Sequence, residues 1–270
     1  MKKIIFLDLD GTALNDKKEL TPGNREAIAA AQAAGHRIVV TTGRPTASAR
    51  IQAERHGLAG PGSYLISYNG GEIYDIEHEK VLYQQTISLP TVREVFAEAA
   101  RRDIHIQAYR GDKVLVDPRN DDQEVRAYCS LIEMQFDVIQ SIAELAEEPV
   151  KLHSSTLVEG DSLIPFRDWI NEAYPEELDS FLSAPVFLEI VAHGMNKGNA
   201  VRRLAELLNC PIDQTVAIGD EANDVPMIRE AGIGAAMING IDEAKEAADY
   251  ITLADNNHDG VAEVIRKFVI

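Results

Sequence analysis

Two cysteines in 270 residues, Cys129 and Cys210, stand far apart and cannot build a disulfide framework or a thiolate zinc site. A reducing compartment, the cytoplasm, is therefore expected. No apolar run approaches the roughly 20 residues that a membrane span needs. Behind Lys2 and Lys3 the apolar stretch is only Ile4 to Leu7, too short for a secretory signal. Excess positive charge is missing too: 26 basic residues face 44 acidic ones, a net charge of −18. An acidic surface of this kind argues against nucleic acid and anionic membrane as partners. It also opposes long-range attraction of any anionic ligand. A phosphorylated ligand would need concentrated local positive charge, from a metal or a few cations. Internal repeats and low-complexity segments are absent. At 45% hydrophobic and 26% charged residues, the chain has material for a sizeable core and for two domains.

The opening stretch, Ile4-Ile5-Phe6-Leu7-Asp8-Leu9-Asp10-Gly11-Thr12, carries the most information. A β-branched and aromatic run reads as a buried strand. It runs into two carboxylates, and an unpaired buried charge is costly. Asp8 and Asp10 therefore belong at the strand's open end, where they can meet a cation or a substrate. Two acids after a strand can also simply cap the following turn. A calcium loop is excluded, because the further oxygen ligands, the sixth-position glycine and the closing glutamate are missing.

The same texture recurs. Thr21 and Pro22 open a helix that Gly35 closes. An apolar strand from Arg37 then ends at Thr41-Thr42-Gly43-Arg44. Pro45 starts a second helix, closed by Gly57, and Tyr64–Ser67 forms a third strand ending at Tyr68-Asn69-Gly70-Gly71. Strand alternating with helix predicts βαβ units and a parallel sheet, whose ligands bind beyond the C-terminal strand ends.

From about residue 85 the pattern changes. Helical patterns at Thr91–Arg102, Asp121–Glu133 and Asp161–Glu172 are separated by strand-like runs at Ile104–Tyr109, Val114–Val116, Val150–Ser154 and Val186–Val191. Residues 85–190 hold 9 basic and 21 acidic residues, a balance of −12. This predicts a separate α+β unit inserted into the first domain, leaving 1–84 and 191–270 as the α/β core.

The alternation resumes after His193-Gly194-Met195-Asn196-Lys197-Gly198, with Val201, Leu204, Ala205 and Leu208 at helical spacing. Thr215–Gly219 is a second apolar strand ending in acids, Asp220-Glu221-Ala222-Asn223-Asp224. Asn223 or Asp224 can N-cap the helix behind it. Ile233–Met237 and Tyr250–Thr252 read as further strands, and Gly260–Phe268 as a last helix. Asp8 with Asp10, Thr42 with Gly43, Lys197, and Asp220 with Asn223 and Asp224 thus converge on one sheet edge. Several carboxylates there would repel one another. A hard divalent cation removes the conflict, and Mg2+ takes carboxylates, water and phosphate oxygens. Together with the lysine, the threonine hydroxyl and the glycine amide, these parts suit transfer of phosphate from a monoester.

These motifs identify the chain as similar to the haloacid dehalogenase superfamily, in particular the Cof-type sugar-phosphate phosphatases with a large C2-type cap. The four motifs are Asp8 to Thr12, Thr42 in Thr-Gly-Arg, Lys197 in Asn-Lys-Gly, and Gly219 to Asp224. The resemblance covers the whole chain. It implies a Rossmann-like parallel-sheet core with 85–190 as the inserted cap, whose closure excludes water and supplies specificity. It implies Asp8 as nucleophile and Asp10 as general acid and base. Metal would be held by Asp8, the Asp10 carbonyl and Asp220, with Asp224 behind them. Thr42, Gly43, Lys197, Asn223 and the backbone at Leu9 would bind the phosphoryl group. Two features depart from the family pattern, Ala13 in place of Leu and Met237-Ile238-Asn239-Gly240 in place of a Gly-Asn pair.

Arg44 and Asn196 are candidate substrate contacts, though Arg44 could equally brace the loop by pairing with a carboxylate. Asn69-Gly70-Gly71 is either a plain turn or the floor of the pocket. Gly232-Ile233-Gly234 lacks the third glycine of a dinucleotide fingerprint, and Met227 and Ile228 belong to the core. The expected reaction is Mg2+-dependent hydrolysis of a small phosphorylated metabolite. A phosphomutase or phosphotransferase would use the same groups. A non-catalytic binding protein is disfavoured because Asp10, Lys197 and Asp220 are all present.

Overall fold

The computed structural model describes residues 2–120, 123–156 and 163–270. Up to Tyr83 the chain forms β1 (Ile4–Leu7), α1 (Pro22–Ala33), β2 (Arg37–Thr41), α2 (Thr46–His56), β3 (Tyr64–Ser67) and β4 (Glu72–Asp75), with β5 (Lys80–Gln84) ending one residue later. A second compact unit, Gln84–Met195, holds α3 (Leu89–Arg101), β6 (Gln107–Arg110), β7 (Lys113–Val116), α4 (Gln123–Ile132), β8 (Gln135–Val138), β9 (Lys151–Ser155), α5 (Leu163–Ala173), β10 (Leu178–Ala184) and β11 (Phe187–Ala192). From Asn196 the first unit resumes with α6 (Lys197–Leu207), β12 (Thr215–Gly219), α7 (Val225–Glu230), β13 (Ile233–Ala236), α8 (Asp242–Ala247), β14 (Tyr250–Ile251) and α9 (Gly260–Phe268).

The first unit is built on an eight-stranded sheet, ordered β14-β13-β12-β1-β2-β3-β4-β5. From β14 to β3 every pairing is parallel. Alternate residues of one strand face opposite sides of a sheet. Accordingly Ile5, Leu7, Ile38, Val40, Val216 and Ile218 share an apolar cluster with α1, α2 and α9, while Ile4, Phe6, Val39 and Ala217 pack with α6 and α7. Burial on both faces explains why these strands are continuously apolar in sequence. Because β1, β2, β3 and β12 run in parallel, their polar C-terminal ends lie along one edge.

The second unit has a six-stranded sheet, β10-β11-β9-β6-β7-β8, antiparallel apart from the β7–β8 pair. One face sends Ile106, Ala108, Leu115, Leu152, Leu188 and Ile190 into a core with α3 and α5.

Several expectations need correction. The return boundary drawn at residue 190 cuts β11, which pairs with β9 through Val191 and Lys151, so residues 191–195 go with the second unit. The parallel core holds as expected from β14 to β3, and an antiparallel extension was not foreseen. After the turn at Tyr68–Gly70, β4 runs back antiparallel to β3, and β5 forms the edge. Strands β4, β5, β8 and β10 had no clear signal, because their alternation is partly polar. The strand expected from Ile104 starts only at Gln107, since Asp103 in the left-handed region (φ 56°) turns the chain and the Ile104 amide closes α3 on the Ala99 carbonyl. Ser88 caps α3 two residues earlier than expected, its Oγ accepting from the Thr91 amide. The expected helix starts at Asp121 and Asp161 lie outside the described residues. Among the described residues, no helix is long and apolar enough to cross a membrane.

On the other face of the six-stranded sheet, Gln107, His153 and Glu189 stand in register across β6, β9 and β11. His153 is fully buried, its Nδ1 lying 3.1 Å from Gln107 Nε2 and its ring stacked 4.2 Å from that of Tyr128. Burial pushes the imidazole down to about 3, with Lys151 adding to the effect and Glu189 opposing it. The unfolded chain takes up this proton near 6.5 and the folded chain does not. Stability from this group is thus present above the unfolded value and lost as pH falls towards the folded one. In urea titrations, His153 is expected to contribute up to about 1.4 kcal/mol of lost stability per pH unit over that window. H153Q should flatten the acid limb by that share, and an unchanged slope would refute the assignment.

Candidate active site

The site grows from two neighbouring strand ends. β1 and β12 pair in register, Leu7 opposite Ile218, and the Asp8 amide continues the ladder by donating to the Ile218 carbonyl at 3.0 Å. Asp8 follows β1 and Asp220 follows β12 directly, so the two carboxylates emerge side by side. Asp224 joins them by bending back. Its Oδ2 accepts from the Asp220 and Glu221 amides at 2.9 and 3.0 Å. Of the two expected caps, Asn223 or Asp224, Asp224 holds the N-cap position of α7, but its side chain is engaged here and makes no cap bond. Asp8, Asp220 and Asp224 are all buried, with ligand oxygens within 4.8 Å of one another.

Lys197, at the start of α6, enters this group. Its Nζ donates to Asp8 Oδ1 at 2.7 Å and to Asp224 Oδ1 at 2.5 Å, and the residue is fully buried. Burial alone would weaken the ammonium, but Asp224 and Asp8 overcome it and hold its pKa above the ordinary lysine value. Burial raises Asp8 well above the usual carboxylate range, and Asp224 raises it further against the pull of Lys197. Asp220 is pushed up to about 6, by burial first and by Asp224 and Glu221, while the Thr12 hydroxyl opposes the shift through a 2.5 Å bond to Oδ1. One lysine does not balance three carboxylates. The donor set is all carboxylate oxygen, which fits a hard divalent cation and not a soft one. Gly11 makes room for the Asp220 carboxylate: φ is +89°, and a Cβ there would lie 2.3 Å from Asp220 Oδ2.

The Asp10 carboxylate is not part of this group of three. Arg44 grips it through Nε and Nη2 at 3.0 and 3.2 Å, and Lys18 Nζ donates to Oδ1 at 2.9 Å. Burial works against ionisation, yet Arg44 and Lys18 prevail and hold its pKa below the ordinary value. Arg44 therefore braces a carboxylate, the second of its two sequence readings. Thr42 is buried, its amide bonded to the Ile66 carbonyl and its Oγ1 accepting from the Arg44 amide. Asn223 Nδ2 donates to Asn69 Oδ1 at 3.0 Å, and Gly43 packs against that same carboxamide. Asn196 N-caps α6, its Oδ1 accepting from the Asn199 amide. The Leu9 side chain is core, which leaves only its backbone for ligand contact.

Sequence reasoning passed over Lys18, Thr12 and Asn239. Lys18 stands ten residues beyond Asp8 in a loop, with φ +61°, and no motif marks it. Thr12 looked like the tail of the first motif. Asn239 appeared only as a departure from the family pattern, yet its Nδ2 donates to the Gly11 carbonyl at 2.8 Å and its Oδ1 accepts from the Asn256 amide.

A family profile described as haloacid dehalogenase-like hydrolase matches residues 5–265. The chain belongs to this family. Among its relatives, the 5-amino-6-(5-phospho-D-ribitylamino)uracil phosphatase YcsE of Bacillus subtilis is 32% identical, covering 99% of this chain and 96% of its own. The pyridoxal phosphate phosphatase YbhA of Escherichia coli is 27% identical over 99% of both chains. A solved haloacid dehalogenase-like hydrolase from Bacteroides thetaiotaomicron is 32% identical, with a TM-score of 0.90 over 99% of both chains. The family assignment and the α/β architecture read from the four motifs therefore hold.

The hydrolase site's charge balance can be tested without substrate. K197M leaves Asp8 and Asp224 buried without their counter-charge, which should cost about 3–5 kcal/mol in urea unfolding in the presence of chelator. Wild-type stability in that variant would show the carboxylates to be neutral.

Proposed function

We propose that this protein is a Mg2+-dependent phosphatase that hydrolyses small phosphomonoesters, sugar phosphates among them, through a phosphoaspartate on Asp8. The observation that carries this reading is the buried Asp8 carboxylate, held by Lys197 at 2.7 Å beside Asp220 and Asp224. Family membership supports hydrolysis, and the names of YcsE and YbhA specify two different small phosphorylated molecules.

Asp8, Asp220 and Asp224 are the side chains to hold or support the cation, joined by the Asp10 carbonyl. When bound, Mg2+ supplies charge neutralisation to the phosphoryl oxygens. Lys197 fixes the Asp8 carboxylate by Oδ1, which keeps its rotamer and removes the entropy cost of aiming it. The Asp8 oxygen forms a bond to phosphorus as the bond from phosphorus to the alcohol oxygen breaks. Asp10 gives its proton to that oxygen. In the second half, a water attacks phosphorus, Asp10 takes the water's proton, and the bond to Asp8 breaks to release phosphate. Thr42, Gly43, Lys197 and Asn223 receive the phosphoryl group throughout.

The two halves ask opposite things of Asp10. Gripped by Arg44 and Lys18 it is ionised, the form that accepts a proton from water. The first half needs the protonated form, so the two cations must release it when substrate enters. Arg44, once freed, has its guanidinium available for an anionic group. Selection of the alcohol falls to the inserted unit, and the −12 balance of residues 85–190 favours alcohols with little further negative charge.

With p-nitrophenyl phosphate, hydrolysis should stop on chelation and return with Mg2+. D8N should abolish turnover while its circular dichroism spectrum and cooperative unfolding persist. Retained turnover in D8N would remove Asp8 as the nucleophile. A screen of phosphorylated metabolites then defines the alcohol.

A further inference from the structure

The turn after β3 is the least ordinary backbone near the site. Tyr68, Asn69 and Gly70 all have positive φ, at 53°, 58° and 108°. Left-handed geometry is unfavourable for a bulky residue such as tyrosine and persists only where the surroundings impose it. Here three separate segments do so. The Tyr68 amide donates to the Arg44 carbonyl at 3.0 Å and the Asn69 amide to the Thr42 carbonyl at 3.1 Å. A Cβ on Gly70 would lie 2.3 Å from the Asn196 carbonyl oxygen, so the turn abuts the residue before Lys197. The Asn69 side chain reaches the third segment, accepting from Asn223 Nδ2 at 3.0 Å through Oδ1. The same carboxamide fills the space over Gly43, where a Cβ would come 3.0 Å from Oδ1. Asn69 is buried, 6% exposed, and touches both the Thr42–Gly43 loop and Asn223.

A carboxamide can present either its oxygen or its NH2 group, and the two differ in sign towards a phosphoryl oxygen. A fixed acceptor on one Nδ2 hydrogen settles which end of Asn223 faces the anion. It leaves the second hydrogen to donate and keeps Oδ1 away from like charge. We propose that Asn69 is a positioning residue of the phosphate site. It orients Asn223 and sets the spacing between that side chain and the Thr42–Gly43 loop. This rests on the phosphatase reading above.

N69G tests it, because glycine keeps the positive φ and removes the side chain that carries the carboxamide. We expect kcat/KM with p-nitrophenyl phosphate and Mg2+ to fall about 10- to 100-fold, the range for supports that orient a ligating group. The thermal midpoint should stay near that of the parent. N223A should lose a similar factor, and N69G/N223A no more than N223A alone, since Asn69 acts through Asn223. A readout independent of turnover is the Asn223 side-chain amide in 1H–15N spectra. Its two hydrogens resolve separately in either protein, and the one donated to Asn69 Oδ1 should move upfield in N69G. Turnover by the parent that D8N abolishes upholds the phosphatase reading whatever Asn69 does. Parental kcat/KM in N69G, losses that multiply in the double variant, or an unchanged Asn223 amide each overturn the role of Asn69.

Discussion

The Lys197 ammonium, buried between Asp8 and Asp224, is the contact on which the site depends. Taking these charges out of water is expensive, and only good geometry offsets it. That geometry is supplied from several directions. The Asp220 and Glu221 amides hold the far oxygen of Asp224, Thr12 holds Asp220, and Asn239 holds the Gly11 carbonyl. No one of these contacts is strong alone. Together they fix three carboxylates and one lysine so that negative charge remains in excess, and that excess is the basis for binding a divalent cation.

The sheet makes this affordable in structural terms. β1 and β12 are neighbours in register and are fully buried, so their ends present Asp8 and Asp220 side by side from a rigid base. Helices on both faces exclude water from the strands. A less rigid base would let the carboxylates move apart and relieve their repulsion, and the drive to bind a cation would fall.

Asp10 is set apart from this group by its partners. Leu9 and Thr12 close by are buried, yet the Asp10 carboxylate turns to Arg44 and Lys18 and is half-exposed. Two carboxylates two residues apart therefore meet opposite environments. Burial and like charge push Asp8 up, whereas paired cations hold Asp10 down. The two carboxylates are thus electrostatically distinct although only Leu9 separates them.

Much of this was legible in the residue order. Apolar runs ending in acids or other polar residues announced β1, β2, β3 and β12 of the parallel sheet, and Thr21, Pro22, Pro45 and Gly57 marked helix ends, because those signals are local and act within one turn. The residues of the four motifs were legible for the same reason. The hairpin to β4, the strands β8 and β10, and the end of the inserted unit were not, since partly polar strands are defined by the neighbours they pair with. Lys18 and Asn239 escaped notice because their partners, Asp10 and Gly11, are reached through space by side chains on loops. Arg44 remained ambiguous for the same cause: a guanidinium beside a motif has a fixed charge but no fixed partner until the chain folds. The sequence by itself determined which chemical groups the protein has and at which strand ends they stand. Tertiary structure decided which carboxylate each cation meets, because ion pairs depend on distances that strand register and loop packing alone define.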